Sequence, residues 1–558
     1  MVMNNLGVLE MRALIGTLCC VATVALPLLA DDDYVAQIRN RKSAWLEKAE
    51  DAKPVLRSRT VRPVRLVKAV PDERSFQGWR VEPVGAVESA LNRSVGCGES
   101  LVFDFGEHLV GYLGLKVGEG AGRADSPVRM KLVYAEMPSE LGLSFEPFTG
   151  GISRSWLPDE VVFFDEVPSA REMSRRHAFR YVKITVESAC PFSLKDLSVR
   201  AVTSADEAAV RPLATNDALL AKIDAIAVRT LRDCMQTTLE DGPKRDRRLW
   251  IGDLRMQALV NYVTFRNYGI VRRALYHFAG TADERGLVSS DAYERPALAG
   301  GQCHILDYTA LFPAIVQEYL DATGDRDAAE DLWPLCARQM EIVLETVGED
   351  ALFRDEGKWW CFIDWNGALD RQASEQGVII CGLNRIVTLA RALGREKEAE
   401  RFAGMAGRMK SAARQALLDP SRGVFVSGSK RQVSQMSQAW MVLAGVVTGD
   451  EARRCLRAAR ADASAERPRT PYACHYLVEA LLLAGLDAEA DGLLRAYWGG
   501  MAERGADTFW EAFDPKDDFI SPYGNILLNS ACHAWSCGPA YLLRKGSVGQ
   551  AGRGRGKK

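Results

Sequence analysis

Two hydrophobic periods divide the chain. From about residue 60 to 205, apolar and polar residues alternate, as in SLVFDFGEHLVGYLGLKV, VRMKLVYAEMP and AFRYVKITVES, with Gly, Pro and Ser between the runs. Alternation puts successive side chains on opposite faces of a strand, so this half reads as an antiparallel β-sandwich of short strands. Past VTSADEAAVRP the period lengthens. NDALLAKIDAIAVRTLRDCM repeats apolar residues at helical spacing behind an Asn or Asp that can cap the first turn. Helical patterns then run almost to the end of the chain.

One unit recurs in the helical half: an apolar helix ends in Gly, and an Ala/Glu/Arg-rich helix follows at once. It is seen in YLDATGDRDAAEDL, LARALGREKEAERF, LAGVVTGDEARRCL and LLLAGLDAEADGLL. Each reads as a helical hairpin, with Gly at the C′ position that favours a left-handed conformation. The first helix of each pair is the more apolar, and the second carries charge on one face. A closed ring of about six hairpins, with buried inner and half-solvated outer helices, explains this asymmetry, and the fold class expected is an (α/α)6 barrel behind a β-sandwich. An open solenoid would repeat at a regular period, whereas the marked glycines fall at 324, 394, 449 and 485.

The ends add compartment. MRALIGTLCCVATVALPLLA, before the acidic DDD, runs from a basic residue through an apolar stretch to Ala30, the order of a secretory signal peptide, with Met11 a suitable start. The stretch is short for a membrane span, so the mature chain is expected to be secreted or periplasmic with no stable membrane span. The expected units are a leader over 1–30, a polar arm over 31–60, the β-sandwich over 61–208, the barrel over 209–545 and a basic Gly-rich tail over 546–558. A net charge of −2 supplies no broad positive field for nucleic acid. The cysteines, 13 in all, are scattered, and none has the Cys/His spacing of a zinc site. No metal and no cofactor is expected.

Candidate chemistry lies between the helices. EDGPKRDRRLWIGD, residues 240–253, crowds charges around Trp250, and KWWCFIDWNGALD and GADTFWEAFDPKDDF set aromatic residues beside acids. Aromatic faces next to carboxylates suit a sugar, whose C–H face stacks on the rings while acids bind hydroxyls and move protons. Glycoside hydrolysis needs two carboxyl groups, one to protonate the leaving oxygen and one to activate water or attack. With Pro243 near a helix start, Asp246, Trp250 and Asp253 fall at i, i+4 and i+7, one stripe of a helix; an exposed, salt-bridged helix start is the plainer reading.

These segments together resemble glycoside hydrolase family 78, the α-L-rhamnosidases. The resemblance runs from about residue 85 to 545 through VFDFGEHLVGYLGLKV, VYAEMP, FRYVKITV and the Asp-x-Pro…acid…aromatic-x-Gly-Asp signature, joined to a late Trp-Glu. It implies inverting hydrolysis of terminal α-L-rhamnosides, with a carbohydrate as the partner. By position it implies that Asp241 and Asp253 bind sugar hydroxyls, that Trp250 forms an aromatic wall, and that Glu511 beside Trp510 is the general base. It also implies that His533 reaches the same subsite and that Asp364 and Trp365 face the sugar. Where the family has a glutamate as general acid, the five-residue register places Asp246 and the six-residue register Arg247. The spacing from Asp241 to Asp253 suits the first, so the acid role falls to Asp246. Gly242 stands where the family more often has Cys.

His304 and Asp307 begin a helix and suit the mouth, the core or a cap equally. His475 reads as pocket lining or a buried core histidine, and His108 and His177 as structural. Two other functions share the pattern. One is a different six-hairpin glycosidase or lyase acting on uronic-acid-containing glycans; the other is a non-catalytic carbohydrate-binding relic whose acid became Arg247.

Overall fold

The computed structural model describes residues 31–121, 126–189 and 191–545; the leader and the basic tail expected from the sequence lie outside them. Helix α1 (Asp31–Asp51) comes first. Ten strands then pair antiparallel in one sheet: β1 (Arg57–Val61), β2 (Arg65–Pro71), β3 (Trp79–Gly85), β4 (Ser94–Val95), β5 (Ser100–Glu119), β6 (Val128–Ala135), β7 (Asp159–Phe164), β8 (Ser169–Glu172), β9 (His177–Val186) and β10 (Phe192–Thr203). The path is β1-β10-β5-β9-β6-β7, and β2 joins β3 to β5. The alternating apolar residues of β5, β6 and β9, among them Phe103, Met130, Phe179 and Val182, form one buried core. The β5–β9 register breaks between Asp104 and Leu109, where Gly106 takes a φ of 81°. Such a bulge kinks the strand and re-aims its side chains. A short helix, α2 (Pro138–Gly142), follows β6.

The helical half holds α3 (Ala218–Cys234), α4 (Ile251–Val263), α5 (Tyr268–Gly280), α6 (Leu306–Thr323), α7 (Arg326–Leu344), α8 (Gln372–Ala392), α9 (Glu396–Ala412), α10 (Gln435–Leu443), α11 (Gly449–Ala461), α12 (Pro471–Leu483), α13 (Asp487–Leu494), α14 (Gly500–Glu503) and α15 (Pro539–Arg544). The inner helices α4, α6, α8, α10 and α12 each touch the next, and the turn Ala534–Cys537 ahead of α15 closes the ring onto α4. Helices α3, α5, α7, α9, α11 and α13 form the outer layer. The burial follows the sequence asymmetry: α11 buries only Ala452, Cys455, Leu456 and Ala459, while α6 buries most of its length. Asp217, Asp325, Ser434 and Thr470 cap helix starts by accepting a backbone N–H.

Gly324, Gly394 and Gly485 take the positive φ expected between hairpin helices. In the third hairpin the place just after the helix belongs to Gly445, with φ of 67°, because α10 ends at Leu443; Gly449 also takes a positive φ, 54°, but at the start of α11. The stretch read as a polar arm is largely α1, which lies on α5 and α7 with Ile38, Trp45 and Ala49 buried. Its polar residues form the other face.

The middle of the ring is filled. Tyr308, Tyr472, Tyr476 and Trp440 pack ring against ring in tilted and edge-to-face contacts, with centroids 6.0, 5.0 and 4.3 Å apart. Arg255 lies 5.2 Å over Tyr476 and pairs with Glu318 at 2.7 Å and Glu479 at 3.4 Å. No helix among the described residues is long and apolar enough to cross a membrane.

Candidate active site

The cluster at 240–253 folds as a tight loop before α4. Asp241 N–H donates to Arg248 O at 2.9 Å, and Arg248 N–H donates to Asp241 Oδ1 at 3.1 Å, which closes the loop at both ends. Asp246 and Arg247 both have positive φ, 60° and 54°, which a helix cannot contain. Leu249 and Trp250 pair as a short strand with Ala292 and Asp291, and α4 starts only at Ile251. The helical stripe expected for Asp246, Trp250 and Asp253 therefore does not form. The loop brings the three side chains to one cleft by another route. Four of the charges are not solvated either: Glu240, Asp241, Lys244 and Arg245 are all at most 4% exposed.

The cleft is lined by Asp241, Asp246, Trp250, Asp253, Ile305, Tyr308, Trp360, Phe362, Trp365, Glu511, Tyr523, His533 and Trp535. The cavity between these side chains is small, about 50 Å³, below the roughly 300–1,000 Å³ of typical small-molecule sites. Trp250 Nε1, Trp365 Nε1, Asp253 Oδ1 and both ring nitrogens of His533 are buried without a protein hydrogen-bond partner. His533 Nε2 is 3.2 Å from Asp253 Oδ1 but lacks hydrogen-bond alignment. Buried polar atoms are normally paired; these five are donors and acceptors that a ligand's hydroxyls could satisfy.

Glu511 is fixed on every side. Its backbone N–H donates to Ser530 O at 3.0 Å, Ser530 N–H donates to its Oε2 at 3.1 Å, and Trp535 Nε1 donates to its carbonyl at 2.9 Å. Arg245 Nη2 reaches Oε1 and Oε2 at 2.7 and 2.6 Å, and the Tyr523 hydroxyl donates to Oε1. Burial alone would push the Glu511 carboxyl up; the Arg245 guanidinium and these hydrogen bonds outweigh it and hold it at about 2. Burial, with Asp246 and Asp253 nearby, raises Asp241 well above the usual carboxylate range.

One guanidinium joins the two sides of the cleft. Arg245 Nη1 is 3.2 Å from Asp246 Oδ1 while Nη2 is 2.6 Å from Glu511 Oε2. The fixed fork separates those nitrogens by roughly 2.3 Å, so the facing oxygens of Asp246 and Glu511 lie within about 8 Å of each other. Asp246, not Arg247, opens onto the cleft; Arg247 Nε turns back to Pro243 O at 2.9 Å.

Two expected residues lie elsewhere. Trp510 stacks on Phe76, with centroids 4.3 Å apart, in the seam between sheet and barrel. Phe509 O and Glu511 N pair with His533 N and Ser530 O, so the segment is extended and neighbouring side chains oppose each other. Glu511 inward puts Trp510 outward. Asp364 is also turned away from the cleft: its oxygens accept Arg469 N–H, Thr470 N–H and the Thr470 hydroxyl at 2.7, 3.0 and 2.6 Å, anchoring the turn ahead of α12. Asp307 is the matching anchor, accepting Phe362 and Ile363 N–H at 2.9 and 3.2 Å. Burial outweighs these bonds and pushes both acids up to about 6. His475 is fully buried in the core, where desolvation lowers it to about 4.

Arg245, Tyr308, Trp360, Phe362, Tyr523 and Trp535 complete the site without having been singled out. Trp535 stands two residues beyond His533, and Trp360 and Phe362 fall within an aromatic run, so density of rings was the available signal. Gly242 is tight against the second wall, since a Cβ there would stand 2.7 Å from Ser530 Oγ.

Comparison with known proteins agrees with this architecture. Residues 63–201 match the glycosyl hydrolase family 78 alpha-rhamnosidase N-terminal domain, and residues 209–546 match the bacterial alpha-L-rhamnosidase 6 hairpin glycosidase domain. A rhamnosidase from Klebsiella oxytoca, solved with rhamnose bound, is similar at 40% identity over 90% of this chain and 98% of that one, with a TM-score of 0.88. A family 78 rhamnosidase of Bacillus sp. GL1 shares the fold at 24% identity over 84% of this chain and 50% of its own, with a TM-score of 0.71. The α-L-rhamnosidase of Dictyoglomus thermophilum does so at 19% identity over 88% of this chain and 51% of its own, with a TM-score of 0.64. No curated protein sequence matches.

Proposed function

The chain belongs to glycoside hydrolase family 78, and on that premise we propose that it removes terminal α-L-rhamnose, or a similar deoxy sugar, from glycosides or polysaccharides with inversion. In this reading Asp246 is the general acid and Glu511 the general base. The observation that carries it is the Arg245 guanidinium standing between the two carboxylates, which brings their facing oxygens to no more than about 8 Å apart; that bound admits the roughly 6.5–9.5 Å of an inverting pair and also the roughly 5–5.5 Å of a retaining one, and inversion is taken from the family. Asp246 protonates the leaving oxygen from the mouth side of the cleft, where its side chain is 23% exposed. Glu511 stays ionised on the opposite wall and takes a proton from the attacking water. Arg245 holds Glu511 until that water arrives, and Tyr523 keeps its own proton because burial and the Glu511 charge raise its hydroxyl well above the usual range.

The lining favours a deoxy sugar over a uronate. Arg245, set between Asp246 and Glu511, is already paired with both, and among the described residues that line the cleft no other Lys or Arg is free to pair a sugar carboxylate, which would enter at high cost. Ile305 and Phe362 instead offer apolar surface to a methyl group, and Trp250 and Trp365 offer ring faces and free N–H groups. Turnover of a panel of aryl glycosides, followed by proton NMR, tests the reading. The aryl α-L-rhamnoside is expected to react first, and β-L-rhamnose is expected as the first anomer. An α-anomer product would replace inversion by retention, and turnover only of a uronide would replace the substrate.

Export is part of the same proposal. It is supported by the order of basic residue, apolar run and small residue that ends at Ala30. Sequencing the N-terminus of protein recovered outside the cytoplasm should find a chain beginning close to Asp31; a retained Met1 or Met11 would overturn it.

A further inference from the structure

Buried charged side chains tie the sheet to the two segments that carry the proposed acid and back the proposed base. Arg176, just before β9, donates to both oxygens of Glu240 at 2.6 and 2.8 Å, one residue ahead of Asp241. Glu140 of α2 accepts from Lys244, which also donates to Asn529 O at 2.8 Å. Glu136 Oε2 accepts Ala531 N–H at 2.7 Å, and its Oε1 lies 3.0 Å from His108 Nε2. His108 Nδ1 in turn is 2.7 Å from Asp233 of α3. His108 is thus a joint between the two halves, with both ring nitrogens taken.

The sheet is shaped to deliver these groups. The bulge in β5 turns His108 out of the strand register toward the barrel. Beyond β6, Glu140 Oε2 accepts the N–H groups of Glu136 and Met137, at 2.6 and 3.0 Å, which leaves Oε1 for Lys244. Glu136, Glu140 and Lys244 are 6, 4 and 4% exposed. Burying such charges costs desolvation that apolar packing would avoid. Adhesion between domains is therefore a poor reason for them; a fixed geometry is a better one. Their neighbours show what is fixed: Lys244 precedes Arg245 and Asp246, and Ala531 follows Ser530, whose N–H holds Glu511.

We propose that Glu136 and Glu140, on the segment that leads from β6 into α2, are positioning residues for hydrolysis, holding the Asp241–Arg248 loop and the Asn529–His533 segment at the spacing the two carboxylates require. This rests on the acid and base assigned above. It makes the sheet a working part of the catalytic centre instead of a separable sugar-binding module.

The test uses the full chain and whichever aryl glycoside the wild type turns over. Glu140→Gln keeps an acceptor for the backbone but removes the anion facing Lys244. It is expected to lower kcat roughly 10–100-fold, the penalty of small misplacements, with KM within about threefold of wild type. Lys244→Met is expected to do the same, and the double variant to lose no more than the worse single, because both act through one contact. Should Glu140→Gln fail to fold, Glu136→Gln, which keeps an acceptor for Ala531, carries the same expectation. Unchanged kcat, kcat and KM moving together, or losses that multiply in the double variant would each overturn the inference. A wild type that prefers another glycoside overturns the proposed substrate while this split is still read on that glycoside. A wild type inert on the whole panel overturns both.

Discussion

Asp246→Asn is expected to lower kcat by roughly 10²–10⁴-fold on a rhamnoside with a poor leaving group, the range for loss of a positioned general acid. On a rhamnoside whose leaving group departs without protonation the loss should be far smaller. The comparison isolates proton donation because the substitution changes little else. Asn has the shape of Asp and tolerates the left-handed backbone that Asp246 adopts at φ 60°. It can still accept from Arg245, 3.2 Å away. What it cannot do is hand a proton to the glycosidic oxygen. Equal losses with both leaving groups would remove Asp246 from the acid role, and no loss with either would leave the mechanism without an acid.

Glu511→Gln should abolish hydrolysis to a similar or greater degree and also destabilise the fold. Removing one partner of a buried ion pair costs about 3–5 kcal/mol, and Arg245, 3% exposed, would keep only Asp246 as a counter-charge, 3.2 Å away. The double variant with Arg245→Met should recover the melting temperature but not the activity, which separates the chemistry from the folding. The pH dependence follows from the sign of the shift. Glu511 is held at about 2, below the roughly 4.3 of an unperturbed glutamate. Its contribution to stability is therefore complete above that unfolded value and is lost as pH falls through the folded one. In the wild type, kcat/KM should show no acid limb from Glu511 above about pH 4. In Arg245→Met, burial acts without the guanidinium, and an acid limb should move up into the measurable range. A wild-type limb that Arg245→Met leaves in place would mean that another group sets it.

Much of this architecture could be read before any coordinates. Alternation in β5, β6 and β9 and helical spacing from Asp217 onward separate the two halves, because burial of one face imposes those periods. Glycine at 324, 394 and 485 marked hairpins because a left-handed C′ residue is a local requirement. The site was legible as a set of residues more than as a shape. Asp241, Asp246, Trp250, Asp253, Trp365, Glu511 and His533 do meet, yet the loop that presents them is held by Asp241–Arg248 pairing and by Trp250 joining Asp291, contacts remote from helical periodicity. Trp510 and Asp364 stand beside true lining residues in sequence and face away from them. A one-residue alternation decides that, and composition carries no trace of it. The sheet's share in the site was hidden for a related reason: Glu140 and Lys244 are 104 positions apart.

The filled middle of the ring has its own consequence. With Arg255 and its acidic partners below Tyr476, the way through the middle of the ring is closed. On the proposed function, this favours a chain tip taken one unit per visit over a long glycan threaded through and cut along its length. The freed monosaccharide then blocks the doorway until it departs, so accumulating product should slow the enzyme by occupying the seat of the next tip.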